Sequence, residues 1–280
     1  MKTIRLLYPD FLSGGLEEYY FGAQLLSLIV PPNDDQPLIK VPISAPNDGK
    51  KAVKDGIYAR DGVEAGVKNA LNLIECENPD KIITIGGNCI VSLAPFDYLH
   101  GKYGDTGIIW LDAHPDVSTP QDGYAYAHAM VLGTLLGQGD AGLRALMKNG
   151  AFEPQNLLYV GLQGLHDYQE RYLNKLGVKF KIQDKNFIPH AEIAAFCTKF
   201  KRVLIHLDTT VLDAAFFHST YFANPELAGD GGGRMKMSEL KEILRLINQS
   251  CDVSGLSIAE YLPFDEFKLR GALEVMDIFK

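Results

Sequence analysis

The sequence lacks most of the features that would classify it at a glance. No apolar run approaches the about 20 residues of a membrane-spanning helix. The opening MKTIRLLYPDF has neither a long apolar core nor a small-residue cleavage site, so no signal peptide is expected. The four cysteines, Cys76, Cys89, Cys197 and Cys251, form no CxxC pair. They are expected as reduced thiols of a cytoplasmic protein rather than as a disulfide framework. Positive charge is scarce: 27 Lys and Arg stand against 35 Asp and Glu, for a formal net charge of -8. That argues against nucleic acid or an anionic membrane as the main partner and leaves a cationic small molecule open. No repeat, low-complexity tract or clear linker divides the chain. The Gly-rich GDGGGR (229–234) is followed by no Lys-Ser/Thr and preceded by no strand, so it is not a phosphate loop. It reads as a flexible turn, or as a wall of a cleft where a missing side chain allows close approach.

What is present is a core and a rhythm. With 280 residues, 46% of them hydrophobic, the chain can bury a sizeable interior, expected as one domain over residues 1–280. Short apolar runs recur at 3–8, 38–43, 81–86, 107–112, 156–162, 178–182 (VKFKI), 202–208 and 255–261. Most are continuously apolar, as in buried strands of a parallel sheet. Between them lie amphipathic helical patterns: GLEEYYFGAQLLSLI, GVEAGVKNALNLIEC, AMVLGTLLG, HDYQERYLNKLG, AEIAAFCTKF and MSELKEILRLINQS. This alternation predicts an α/β fold, either a closed barrel or an open doubly wound sheet, with its site at the carboxyl ends of the strands. Met130, Met235, Met237 and Met276 are scattered and read as core filler.

Four strand ends carry chemistry. They read GGNC, ending at Cys89; DAHPD, with Asp112, His114 and Asp116; HLDTTVLD, with Asp208, Thr210 and Asp213; and AEYLP, with Glu260. In DAHPD, residues two apart in an extended chain project to one side. Two carboxylates and an imidazole there need a positive partner, and a divalent metal would supply it. A lone DxH is more often a capped turn beside a surface histidine. DxHxD after a buried strand, with a second Asp-bearing strand end, points to metal instead. Hard oxygens with an imidazole suit Mn or another first-row ion, and a shared carboxylate could hold two ions. His128 reads either as a core or cap histidine or as a proton shuttle. His206, two residues before Asp208, reads as structural. His100, His166, His190 and His218 have no constellation around them.

These blocks, in this order, resemble the ureohydrolase family of arginase, agmatinase and formimidoylglutamase. The family's DAHxD is matched in full by Asp112, His114 and Asp116. Its GGDH resembles GGNC, its SxDxDxxDP resembles the block from His206 to Ala214, and its PGGL turn resembles the GDGGGR region. Its late Glu resembles Glu260, and the loop histidine of some members resembles His128. The resemblance implies a three-layer αβα fold around a doubly wound, mostly parallel eight-stranded sheet. It also implies two Mn ions, hydrolysis of a linear C–N bond in a guanidino or amidino substrate, and a homo-oligomer. Carried over residue by residue, one metal position would have Cys89, Asp112, Asp116 and Asp208. The other would have Asp112, His114, Asp208 and Thr210. Glu260 would orient the cationic group and His128 would move protons.

The chain departs from the pattern at four places. Cys89 stands for a His ligand, Thr210 for an Asp ligand, Asn88 for a supporting Asp, and Gln163 for the Arg of VGxR. A thiolate is a softer ligand and favours Zn or Fe over Mn, while a neutral Thr removes a charge from the second position. Unequal sites holding one or two ions are therefore expected, with loss of both ions as the alternative. Two other readings compete: an inactive family member that binds a ligand or partner, and altered chemistry with Cys89 as a nucleophile. The plain alternative for Cys89 is a small buried hydrophobe.

Overall fold

The computed structural model describes residues 1–264 other than 48, 50, 185, 227, 228 and 230. Met276 and the Asp230 of GDGGGR lie outside the described residues. In chain order the elements are β1 Thr3–Tyr8, α1 Glu18–Ile29, β2 Leu38–Lys40, a small hairpin of β3 Val53–Lys54 and β4 Ile57–Tyr58, α2 Arg60–Glu77, β5 Lys81–Gly86 and α3 Leu93–Tyr103. Then follow β6 Thr106–Leu111, α4 Val131–Leu135, α5 Ala141–Leu146, β7 Leu157–Val160, α6 Asp167–Leu176, α7 His190–Cys197, β8 Arg202–Asp208, α8 Met237–Ser250 and β9 Asp252–Ala259.

Among the described residues, seven strands form one parallel sheet in the order β2-β1-β5-β9-β8-β6-β7. It is open, which decides between sheet and barrel. Alternate residues of a strand feed opposite layers, as pleating requires. On β6, Ile108 and Trp110 join the core under α2, α3 and α4, whereas Ile109 and Leu111 join the core under α7 and α8. The fold is therefore αβα. The crossover from β5 to β6 skips two places, later filled by β9 and β8. A reversal of strand order of this kind opens a crevice at the carboxyl edge. The ends of β5, β9, β8 and β6 lie side by side there, and they carry Cys89, Glu260, Asp208 and Asp112.

The run VKFKI (178–182) forms no strand, contrary to expectation. The Gln183 side chain takes the place a ladder would fill. Its Oε1 accepts from the Gly161 and Ile188 amides at 3.0 and 3.2 Å, and its Nε2 donates to the Tyr159 carbonyl at 3.2 Å. One amide side chain satisfies the edge of β7, so the flanking backbone need not pair. Met237 is also not core filler: it opens α8 and is 52% exposed, whereas Met130 and Met235 are buried.

Candidate metal centre

Each strand end turns sharply to aim its side chains. After β5, Gly87 passes so close to β1 that a Cβ would lie 1.8 Å from the Asp10 carbonyl oxygen, which only glycine allows. Asn88 then donates through Nδ2 to the Asp10 carbonyl at 2.9 Å and to its carboxylate at 3.3 Å. It ties β5 to β1, and Cys89 opens the following 3-10 turn, Cys89–Ser92. Asp116 and Glu260 both adopt left-handed backbone, at φ 48° and 64°. Such strain in non-glycine residues costs on the order of 1–3 kcal/mol and gathers at functional sites. After β8, the Asp208 carboxylate accepts the Thr210 amide at 2.6 Å, fixing its own rotamer.

The resulting donors converge. The Cys89 thiol lies 3.2 Å from Asp208 Oδ2 and 3.5 Å from Glu260 Oε1. Asp112 Oδ1 accepts the His114 amide at 2.8 Å and stands 3.3 Å from His114 Nδ1. Its other oxygen accepts Trp110 Nε1–H at 3.0 Å. Thr210 Oγ1 donates to Asp112 Oδ1 at 3.3 Å and faces His114 Nδ1 at 3.5 Å. His128 bridges two groups, with Nδ1 3.2 Å from Glu260 Oε1 and Nε2 2.9 Å from Tyr124 Oη. Above this floor opens a cavity of about 420 Å³, walled by Tyr19, Tyr124, Tyr126, His166, Tyr168, Tyr221 and Phe222. Gly231 of the Gly-rich turn reaches the wall, where its backbone bonds the His114 ring.

The structure thus brings together Cys89, Asp112, His114, Asp116, Asp208, Thr210, His128 and Glu260. Asn88 and Gln163 do not join them. Gln163 donates to the Gly161 carbonyl at 2.7 Å and braces the end of β7. Asp213 lies further along, capping a turn through the Ala215 amide. Sequence reasoning missed Asp10, which follows β1 as the other donors follow their strands, and the aromatic walls. The alternate spacing of Tyr124, Tyr126 and His128 was a usable signal for the latter. His166, read as isolated, lines the cavity and stacks on Tyr168.

The electrostatics call for a cation. Burial, then mutual repulsion with Asp112 and Glu260, pushes Asp116 and Asp208 well above the usual carboxylate range. Burial and the surrounding carboxylates likewise push the Cys89 thiol up. Burial, the largest single influence, works against a charged His114 ring, but its bond to Asp112, the negative charge of Asp112 and Glu260 and the Gly231 backbone together outweigh it and raise the ring. Buried His206 is pushed down to about 4 by desolvation. No lysine or arginine lines the cavity among the described residues. Among the described residues, the buried side-chain atoms without a hydrogen-bond partner include Asp116 Oδ2 and His206 Nε2.

Among the described residues, three donor groups have all their ligand atoms within 4.8 Å of one another: Cys89, Asp112, Asp116 and His206; Asp112, His114 and Asp208; and Cys89, His128 and Glu260. Oxygen, nitrogen and sulfur donors around orphaned polar atoms fit a divalent metal.

The chain is similar to known proteins of one family. A sequence model of the arginase family matches residues 51–276. An arginase of Staphylococcus aureus (strain MRSA252) is 24% identical over 198 residues, covering 67% of this chain and 62% of that protein, less than two thirds of its length. An arginase of Entamoeba histolytica is 25% identical over 234 residues, covering 74% of this chain and 76% of its own. The formimidoylglutamase of Bacillus subtilis is 26% identical over 201 residues, covering 69% and 57%. The crystal structure of the E. histolytica arginase in complex with L-ornithine superposes with a TM-score of 0.79 at 18% identity, over 97% of this chain and 95% of that one.

Proposed function

The chain belongs to the arginase family, and from that premise we propose that it is a metal-dependent hydrolase of a linear C–N bond in a guanidino or amidino substrate. The observation that carries the reading is the donor cluster on the floor of an aromatic-walled cavity without a lysine or arginine. Cys89, Asp112, His114, Asp116 and Asp208 would hold one or two ions, with Thr210 contributing a hydroxyl. Mn is the family metal by resemblance, and Zn or Fe are the alternatives that Cys89 favours. When bound, the metal supplies Lewis acidity for hydrolysis near neutral pH.

The rest of the work falls to side chains. The aromatic walls receive a planar cation face-on, where ring quadrupoles attract it. Glu260 accepts hydrogen bonds from the amidino nitrogens and sets the C–N bond over the donor cluster. His128, between Glu260 and Tyr124, hands a proton to the departing amine. Burial of the floor keeps bulk water from competing. A homo-oligomer is part of the proposal by resemblance, and a cytoplasmic location by the unpaired cysteine pattern. Among the described residues, no helix is long and apolar enough to cross a membrane.

A second reading, an inactive member that binds a ligand or partner, is favoured by Thr210. Its neutral hydroxyl occupies hydrogen-bond space beside Asp112 where the family pattern has a carboxylate. One experiment separates the two: a panel of guanidino, amidino and amide substrates assayed with and without added metal. Turnover that disappears in Asp208→Ala supports the hydrolase. Tight ligand binding without turnover supports the inactive reading.

A further inference from the structure

His206 comes from the middle of the sheet and plays no part in the reaction outlined above. It is fully buried on β8, paired across the sheet with Trp110. The two rings stack with centroids 3.7 Å apart and planes 11° from parallel. Stacking fixes the plane of the imidazole. Ser92 fixes its rotation, since Ser92 Oγ lies 2.7 Å from Nδ1. The remaining nitrogen, Nε2, is buried without a partner. An unsatisfied buried polar atom costs about 1–3 kcal/mol and needs an explanation.

The surroundings supply one. A ring nitrogen of His206 lies within 4.8 Å of ligand atoms of Cys89, Asp112 and Asp116, which also lie within that distance of one another. Asp116 Oδ2 is the second orphaned atom of the same group. A histidine that ligates through Nε2 carries its proton on Nδ1 and donates it to a neighbour, which holds the ring in place. Ser92 Oγ is where that acceptor must be.

We propose that His206 is a metal ligand, completing a four-donor site with Cys89, Asp112 and Asp116. This rests on reading the cluster as a metal centre, and it changes which residues make one half of it. The family pattern has a histidine at position 89, after β5; in this chain an imidazole reaches the same cluster from β8, on the far side of β9. Tetrahedral ligands about 2.0–2.3 Å from zinc stand roughly 3.3–3.8 Å apart, so small side-chain rotations close the set. One thiolate, one imidazole and two carboxylates favour a zinc-class ion over Mn. Asp112 also belongs to the group with His114 and Asp208, so it would bridge this site and its neighbour.

The test is cobalt and zinc binding by the full chain, stripped with a chelator. Wild type, Cys89→Ser, His206→Ser and Ser92→Ala are compared, with thermal melting in chelator as the folding control. Wild type should show the near-ultraviolet sulfur-to-cobalt charge-transfer band, and Cys89→Ser should lose it. His206→Ser should bind zinc at least about 100-fold more weakly and shift the visible cobalt bands, because a ligand has gone. Ser92→Ala should weaken zinc by about 10–100-fold, because the ring loses its acceptor. If His206→Ser does not fold, the Ser92→Ala affinity decides. Unchanged affinity and spectrum in the deciding variant overturn the assignment. If turnover still depends on metal and on Asp208 in that case, the hydrolase reading stands without His206.

Discussion

The Cys89 thiol and the Asp208 carboxylate, 119 residues apart in sequence, lie 3.2 Å from each other in the buried floor of the cavity. Asp208 neighbours both the Cys89 group and the Asp112–His114 group, so it couples the two halves of the candidate centre. Both groups are pushed towards their neutral forms by burial and by the carboxylates around them. An ion arriving between them would reverse that push, as bound cations do.

The metal preference follows from Cys89 and Thr210. Cys89→His combined with Thr210→Asp should move the chain from zinc towards manganese and raise retained manganese towards about two ions per chain. Elemental analysis after loading and desalting reads this directly. Unaltered stoichiometry would mean that these two positions do not ligate.

Glu260 and His128 should act on rate rather than on metal content. Glu260→Gln and His128→Asn should each lower kcat/KM by about 100-fold or more while leaving bound metal unchanged. Steady-state kinetics with parallel metal analysis checks both. Loss of metal in either variant would move that residue into the ligand set, through the group Cys89, His128 and Glu260.

Away from the cavity, Arg60 clamps Asp140 at 3.0 and 2.6 Å, and Asp140 also caps α5 through the Leu143 amide. Burial alone would raise the Asp140 carboxyl, but the guanidinium and the amide outweigh it and hold it low. A lowered folded value contributes stability above the unfolded value, about 3.9, that is lost as pH falls through the folded one. Asp140→Asn should therefore cost on the order of 2 kcal/mol at neutral pH, between an exposed and a fully buried pair. The gap to wild type should begin to narrow below about pH 4 and close only below the lowered folded value. Denaturant melts from pH 7 down to about pH 2 measure it.

Gly87→Ala should destabilise by about 3 kcal/mol or more, because the new Cβ would sit 1.8 Å from backbone oxygen rather than from a movable side chain. Urea unfolding gives the value. A neutral result would mean that β1 and β5 can separate without penalty.

Much of this was legible in the sequence because buried parallel strands are written as apolar runs and the site residues follow them directly. DAHPD at the end of β6 and HLDTT at the end of β8 announced themselves in that way. The helix α3, LAPFDYLHGKY, did not. Its first five residues are all buried, so no amphipathic stripe marks it, and Pro95 sits in its first turn where proline is tolerated. VKFKI misled for the opposite reason: it has strand composition, but Gln183 satisfies the edge it would have joined. The depth of His206 in its strand points to a structural role. Its orphaned nitrogen is a property of packing against Trp110 and Ser92, which no spacing rule encodes.

The most direct test of the central claim is metal content. Purified protein is incubated with Mn, Zn or Fe, desalted and analysed, beside Asp112→Ala, which removes the carboxylate common to two donor groups. The account predicts one or two retained ions per chain in the wild type, and their loss in the variant. No retained metal in the wild type, or equal retention in Asp112→Ala, would contradict it.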